Sequence, residues 1–182
     1  MKLEFEPVGE VVERGEVSHV RIFEKYGKAL ENIEQFSHIV VLYWMHAVTP
    51  ELRQAVKVQP PWPGMPNLGI FASRFPTRPN PIGLITVRLV SREDDSLFVR
   101  GLDADEGTPI IDIKPYNPFF DMPKGELVLP EWAGKYVKEH LRKIKSVSME
   151  DAEKEYKAEP NKVHFDLELR SGKKFRVNVY FE

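Results

Sequence analysis

The chain has 182 residues, 42% of them hydrophobic and 30% charged, with a net charge of −2, which suits one ordinary domain with a small appendage and excludes a disordered chain. No stretch approaches the roughly 18 to 20 consecutive apolar residues that span a bilayer, and the N-terminus lacks the apolar core of a signal peptide, so the expected location is the cytoplasm, away from membranes. The absence of cysteine excludes disulfides, thiolate metal sites and a cysteine nucleophile.

Along the chain, Val8 to Val12 and Val17 to Phe23 are rich in β-branched residues and read as short strands. Leu30, Ile33 and Phe36 then recur at near-helical spacing and predict one short helix. It feeds His38 to Trp44, a continuous apolar run of the kind a buried strand has. Ala47 to Gly69 holds five prolines with little periodicity and is expected to be an extended surface loop. Gly83 to Arg92 and Ser96 to Leu102 flank Asp94-Asp95 as paired strands, and Thr108 to Ile113 forms another. Glu131 to Lys145 carries Trp132, Tyr136, Val137, His140, Leu141 and Ile144 at amphipathic-helix spacing after Pro130. A second short helix is expected near Ser148. Val163, Phe165, Leu167 and Leu169, then Phe175, Val177, Val179 and Phe181, alternate with polar residues as a β-hairpin with one apolar face. These elements predict a mainly β (α+β) core over 1–145, followed by a helix and hairpin extension over 146–182.

The charge is uneven. Between Glu51 and Glu93 there is no acid, while Arg53, Lys57, Arg74, Arg78, Arg88 and Arg92 make that segment basic within an acidic chain. Gathered on one face, these cations would bind anions; scattered and paired with distant carboxylates, they would not. No GxG loop or P-loop occurs, and the five histidines are never four apart, so neither a dinucleotide fold nor a metal centre is expected.

Three constellations can carry chemistry. In Gly69 to Leu84, Pro76, Pro79 and Pro81 stiffen an irregular backbone, which presents Arg74, Arg78 and Asn80 as fixed donors for a carboxylate, ribose or phosphate. The plain alternative is a proline-stiffened connection between strands. In Ile111 to Tyr116, a period of two puts Asp112, Lys114 and Tyr116 on one face of a strand. The plain alternative there is a surface Asp–Lys pair. His46, closing the apolar run, is the third candidate.

At these residues the chain resembles the TsaA-like family, also called the TrmO family, of tRNA N6-threonylcarbamoyladenosine methyltransferases. The resemblance is carried by Phe36-Ser37-His38 with Leu42 and His46, by Phe71 to Ile85, and by Glu106 to Tyr116, together spanning roughly Pro7 to Asp121. It implies a small β-barrel that binds S-adenosyl-L-methionine, acts on tRNA and works as a homodimer. It also implies cofactor contacts at His46, Ala47, Arg74, Leu84 and the turn Ala104, Asp105, Glu106, Gly107. The sequence departs from the family in three places. The N-terminal loop is cut to little more than Glu13 to Glu16, Phe75 and Glu106 stand for a usual serine and a usual aspartate, and the tail after Lys145 resembles the longer family members only in its helix-then-β outline and lacks their DPRPAY-like motif.

Within that reading, the poorly nucleophilic urea-like N6 needs a base, for which Asp112, His46 and Tyr116 are the candidates. Arg78, Asn80 and Lys114 are the expected substrate contacts. Two other readings stay open: a methyltransferase for another RNA or a small molecule, and a non-catalytic barrel that senses the cofactor or binds protein.

Overall fold

A computed structural model of the chain describes residues 4–60, 64–126, 128–133, 162–169, 171 and 174–180. The β-branched and aromatic runs form β1 (Gly9–Glu13), β2 (Val17–Ile22), β3 (His38–Trp44), β4 (Ala55–Gln59), β5 (Leu68–Gly69), β6 (Ile82–Glu93), β7 (Ser96–Arg100), β8 (Pro109–Pro115), β9 (Lys162–Leu169) and β10 (Lys174–Tyr180). A short α-helix, α1 (Pro118–Asp121), follows β8.

Six of the strands close into an antiparallel barrel in the order β1, β2, β7, β6, β3, β8, with β8 returning to β1 at Gly9–Ile110 and Glu10–Pro109. Closure leaves no unpaired strand edge. Strand alternation fills the interior: Val11, Val20, Ile39, Val41, Val87, Leu97, Val99 and Ile110 are all fully buried. Each such side chain contributes roughly 1.5–3 kcal/mol relative to exposure. The β6–β7 turn falls at Asp94, whose φ of 50° suits the tight hairpin expected at Asp94-Asp95. The barrel thus agrees with the mainly β architecture expected from the sequence.

Local departures have local causes. The single expected helix is replaced by two 3-10 segments, Glu24–Leu30 and Ile33–Gln35, because Asn32 between them takes a left-handed φ of 66°. Leu30 and Ile33 still reach the core. On β8, Asp112 lies opposite Leu42 while Ile110 lies opposite Tyr43, so Ile111 is an extra residue and the strand bulges. Ile110 and Ile113 therefore both join the core cluster, two positions that strict alternation would have split.

The chain divides into two compact units, Met1–Arg53 with Pro79–Pro123, and Gln54–Arg78 with Lys124–Glu182. The second holds a four-stranded sheet in the order β10, β9, β4, β5. Ala47 to Gly69 is therefore not simply a loop: it supplies β4, whose backbone pairs with β9 at Ala55–Leu169 and Val58–Leu167. Prolines flank β4 and leave its five residues free to donate hydrogen bonds. The expected hairpin is present, with Leu167 opposite Phe175, Phe165 opposite Val177 and Val163 opposite Val179. Residues 131–133 are helical. The remainder of the helix expected to Lys145, the helix near Ser148 and the 145/146 boundary lie outside the described residues. No helix among the described residues is long and apolar enough to cross a membrane.

Candidate functional site

Antiparallel connection brings four chain segments to one end of the barrel: the β1–β2 turn, the exit from β3, the entry to β6, and the link from β7 to β8. His46 and Ala47 stand exposed at the β3 exit, Asn80 is exposed at the β6 entry, and Ala104 to Gly107 forms the link. These expected contacts, scattered over some sixty positions, are gathered on one rim.

The rim is braced from inside. Tyr43, 8% exposed, donates its hydroxyl to the Asp103 carbonyl at 2.7 Å, which fixes the start of the Ala104–Gly107 turn. Burial, then the charges of Asp103 and Asp105, push its phenol above the ordinary tyrosine range, so it remains a neutral donor. Gly107 turns the chain at φ 74° while its N–H donates to the Val11 carbonyl at 2.8 Å. Arg14, from the shortened loop, pairs with Asp105 at 2.5 Å and donates its backbone N–H to Glu106. On the other side Met45 donates to Pro81 at 2.8 Å, tying the β3 exit to the β6 entry. Arg53 lies 5.0 Å over the Trp44 ring and donates to the Val48 carbonyl.

On the barrel wall below the rim, Leu84, Leu42 and Asp112 are neighbours across β6, β3 and β8. Leu84 is 51% exposed. Asp112 is ion-paired with Lys114 at 2.5 Å, and its other oxygen accepts from the Ile113 N–H at 2.9 Å. Tyr116 lies past the far end of β8, where its N–H donates to the His38 carbonyl. Four residue steps of extended chain separate it from Asp112, about 13 Å. Asp112 and Lys114 are thus brought together as expected, whereas Tyr116 and His46 stand at opposite ends of the same barrel.

Arg74 and Arg78 belong to the second unit. Arg78 donates to the Ser73 carbonyl at 3.3 Å and lies 6.0 Å over the Phe71 ring, while Arg74 is exposed with no ion pair among the described residues. Beside them Thr77 is 4% exposed, and its hydroxyl is the one buried side-chain oxygen or nitrogen without a hydrogen bond among the described residues. Such a group is satisfied by a ligand or an ordered water.

The residues that reasoning from sequence missed are Tyr43, Arg14, Asp103 and Gly83. Tyr43 sits in an apolar run and reads as core. Gly83 reads only as the start of a strand, yet a methyl group there would lie 2.2 Å from the Tyr43 ring. Its closeness to the ring is a tertiary fact with no local signal.

Fold and rim define a small closed antiparallel barrel with a loop-built, internally braced rim at one end. The model of the tRNA-methyltransferase O N-terminal domain matches residues 6–122, and the chain belongs to that family. Among curated relatives, an S-adenosyl-L-methionine-binding protein of Archaeoglobus fulgidus is 45% identical over 105 residues, 58% of this chain and 73% of that protein. A human tRNA (adenine(37)-N6)-methyltransferase is 39% identical over 104 residues, which are 57% of this chain but 23% of that enzyme. The crystal structure of TrmO from Pseudomonas aeruginosa matches with a TM-score of 0.54 at 27% identity, over 70% of this chain and 62% of that one.

Proposed function

We propose that the protein is a cytoplasmic methyltransferase that uses S-adenosyl-L-methionine to methylate N6 of threonylcarbamoyladenosine next to the anticodon of tRNA. The observation that carries this reading is the gathering of His46–Ala47, Asn80 and Ala104–Gly107 on one braced rim. Exposed carboxylates at Asp105 and Glu106 complement a cationic sulfonium and its ribose hydroxyls, and Ala47 and Gly107 are likewise exposed on the rim. Arg74 and Leu84 complete the proposed cofactor set. The expected domain 1–145 is retained as the cofactor-binding part, with 146–182 as an extension.

When bound, S-adenosyl-L-methionine supplies an electrophilic methyl group. The chain's own task is to orient N6 and to accept its proton as the new bond forms. Asp112 is the preferred base: its carboxylate pairs with Lys114 through one oxygen, and the other is fixed by the Ile113 N–H. Lys114 is half free at 62% exposure and can exchange Asp112 for the substrate carboxylate, which releases the base as substrate arrives. Arg78 and Asn80 are the further substrate contacts in this reading.

Titration calorimetry with S-adenosyl-L-methionine and with its demethylated product should give saturable heats. Nucleoside mass spectrometry of tRNA incubated with the protein should show a methyl gain on threonylcarbamoyladenosine. No heat for either ligand at millimolar concentration would remove the methyltransferase reading, and heat without methyl gain would leave a cofactor-sensing barrel. We further propose a homodimer, supported by the apolar alternation of the hairpin sequence Val163 to Phe181 and by the family resemblance. Sedimentation equilibrium should then give twice the 21.1 kDa chain mass, and a single-chain mass at every concentration would refute it.

A further inference from the structure

Most cations of the basic segment read from the sequence are engaged within the chain. Arg92 donates to the Leu30 and Asp94 carbonyls and pairs with Glu34, Lys57 pairs with Glu168, and Arg53 and Arg78 are held by carbonyls and rings. Arg88 is different. It is exposed on β6 with no ion pair among the described residues, and the register sets it directly opposite Arg100 of β7. Its other neighbour, on β3, is His38. Like charges directly opposite on a sheet repel, so an Arg–Arg pair is an arrangement that a bound anion relieves. Among the described residues Arg100 pairs with Glu16, at 3.1 Å, in a pair 53% and 76% exposed, which a phosphate displaces at little cost.

Next to the two arginines is a ring platform. Phe98 shares the outer face of β7 with Arg100, and His19 of β2 stacks on it at 4.9 Å and 15° while bonding Ser96 at 2.9 Å. Stacking uses one face of each ring. Cations flanking an aromatic platform are the pairing that holds single-stranded nucleic acid, by phosphate contact and base stacking together.

We infer that the outer wall formed by β2, β7, β6 and β3 is an RNA-binding surface, with Arg88 and Arg100 on phosphates and the Phe98–His19 pair under an unstacked base. This rests on the reading that tRNA is the substrate, and it names a surface none of whose four residues belongs to the proposed cofactor or substrate set. A lipid surface would use the cations but leave the ring pair without a role.

The test is fluorescence anisotropy with an unmodified tRNA transcript at several salt concentrations. Each lost phosphate contact removes roughly 0.7–0.9 from the slope of log affinity against log salt, which is about five- to eightfold in affinity at 0.1 M. R88A/R100A should therefore bind roughly thirtyfold more weakly with a slope reduced by about 1.5. R88K/R100K should keep most of the slope, and Phe98→Leu should weaken binding at least fivefold, by about the stacking of one base, with the slope unchanged. Calorimetric affinity for S-adenosyl-L-methionine should not move in any of them. Wild-type affinity and slope in R88A/R100A would overturn the surface while leaving the methyltransferase reading intact. A wild-type protein that ignores tRNA, whether or not it binds anionic vesicles, would overturn both.

Discussion

Asp112→Asn is expected to lower the single-turnover methylation rate by about 10²-fold while leaving the affinities for S-adenosyl-L-methionine and tRNA nearly unchanged. The substitution preserves shape and hydrogen-bonding capacity and removes only the basic carboxylate. Its effect on stability should be small, because the Asp112–Lys114 pair is 44% and 62% exposed and such pairs contribute under about 1 kcal/mol. A melting temperature within a few degrees of wild type would therefore separate a chemical role from a structural one. Tyr116→Phe should turn over nearly normally, since Tyr116 lies beside His38 at the other end of the barrel from the rim. A normal rate for Asp112→Asn with a 10²-fold loss for His46→Ala would transfer the base to His46. A comparable loss for Tyr116→Phe would sink the single-barrel site and require Tyr116 to act on a partner subunit's rim.

Gly83→Ala should destabilise the barrel by about 3 kcal/mol or more, and should weaken cofactor binding in the fraction that remains folded. The added methyl group would sit 2.2, 2.3 and 2.6 Å from three atoms of the Tyr43 ring, well inside contact distance. Neither side can yield cheaply. The β6 backbone is held in register with β3 at Tyr43–Gly83 and Trp44–Ile82, and the Tyr43 ring is buried with its hydroxyl on the Asp103 carbonyl. Moving the ring breaks that bond, leaves a buried hydroxyl unsatisfied and frees the turn that the cofactor is proposed to use. The measurement is thermal melting followed by calorimetry at a temperature where the variant is folded. Pairing Gly83→Ala with Tyr43→Val should cost less than the sum of the two single changes, because the collision is then absent. An unchanged melting temperature for Gly83→Ala alone would show that the ring relaxes freely and has no bracing role.

Much of this protein was legible before any fold was known, because the relevant signals are carried by adjacent residues. Alternation and β-branching marked β1, β2, β3, β6, β7 and the final hairpin, and Asp94-Asp95 marked its turn, since side-chain direction in a strand follows from chain geometry alone. The three motifs pointed to the family that the comparison bears out over residues 6–122. Long-range contact decided the rest. Strand Ala55–Gln59 is too short and too flanked by proline to announce itself, and exists because β9 pairs with it from more than a hundred positions away. The bulge at Ile111 turns both Ile110 and Ile113 to the core, a matter of register against β3 that no local period encodes. Charge was the least legible property of all. Six cations free of acidic neighbours in sequence could form one basic face or be scattered and paired; four are held by carboxylates, carbonyls or rings, and Arg88 is set against Arg100 by strand pairing. A charge's partner is chosen by proximity in space, so only the tertiary structure could say which cations remain available to a ligand.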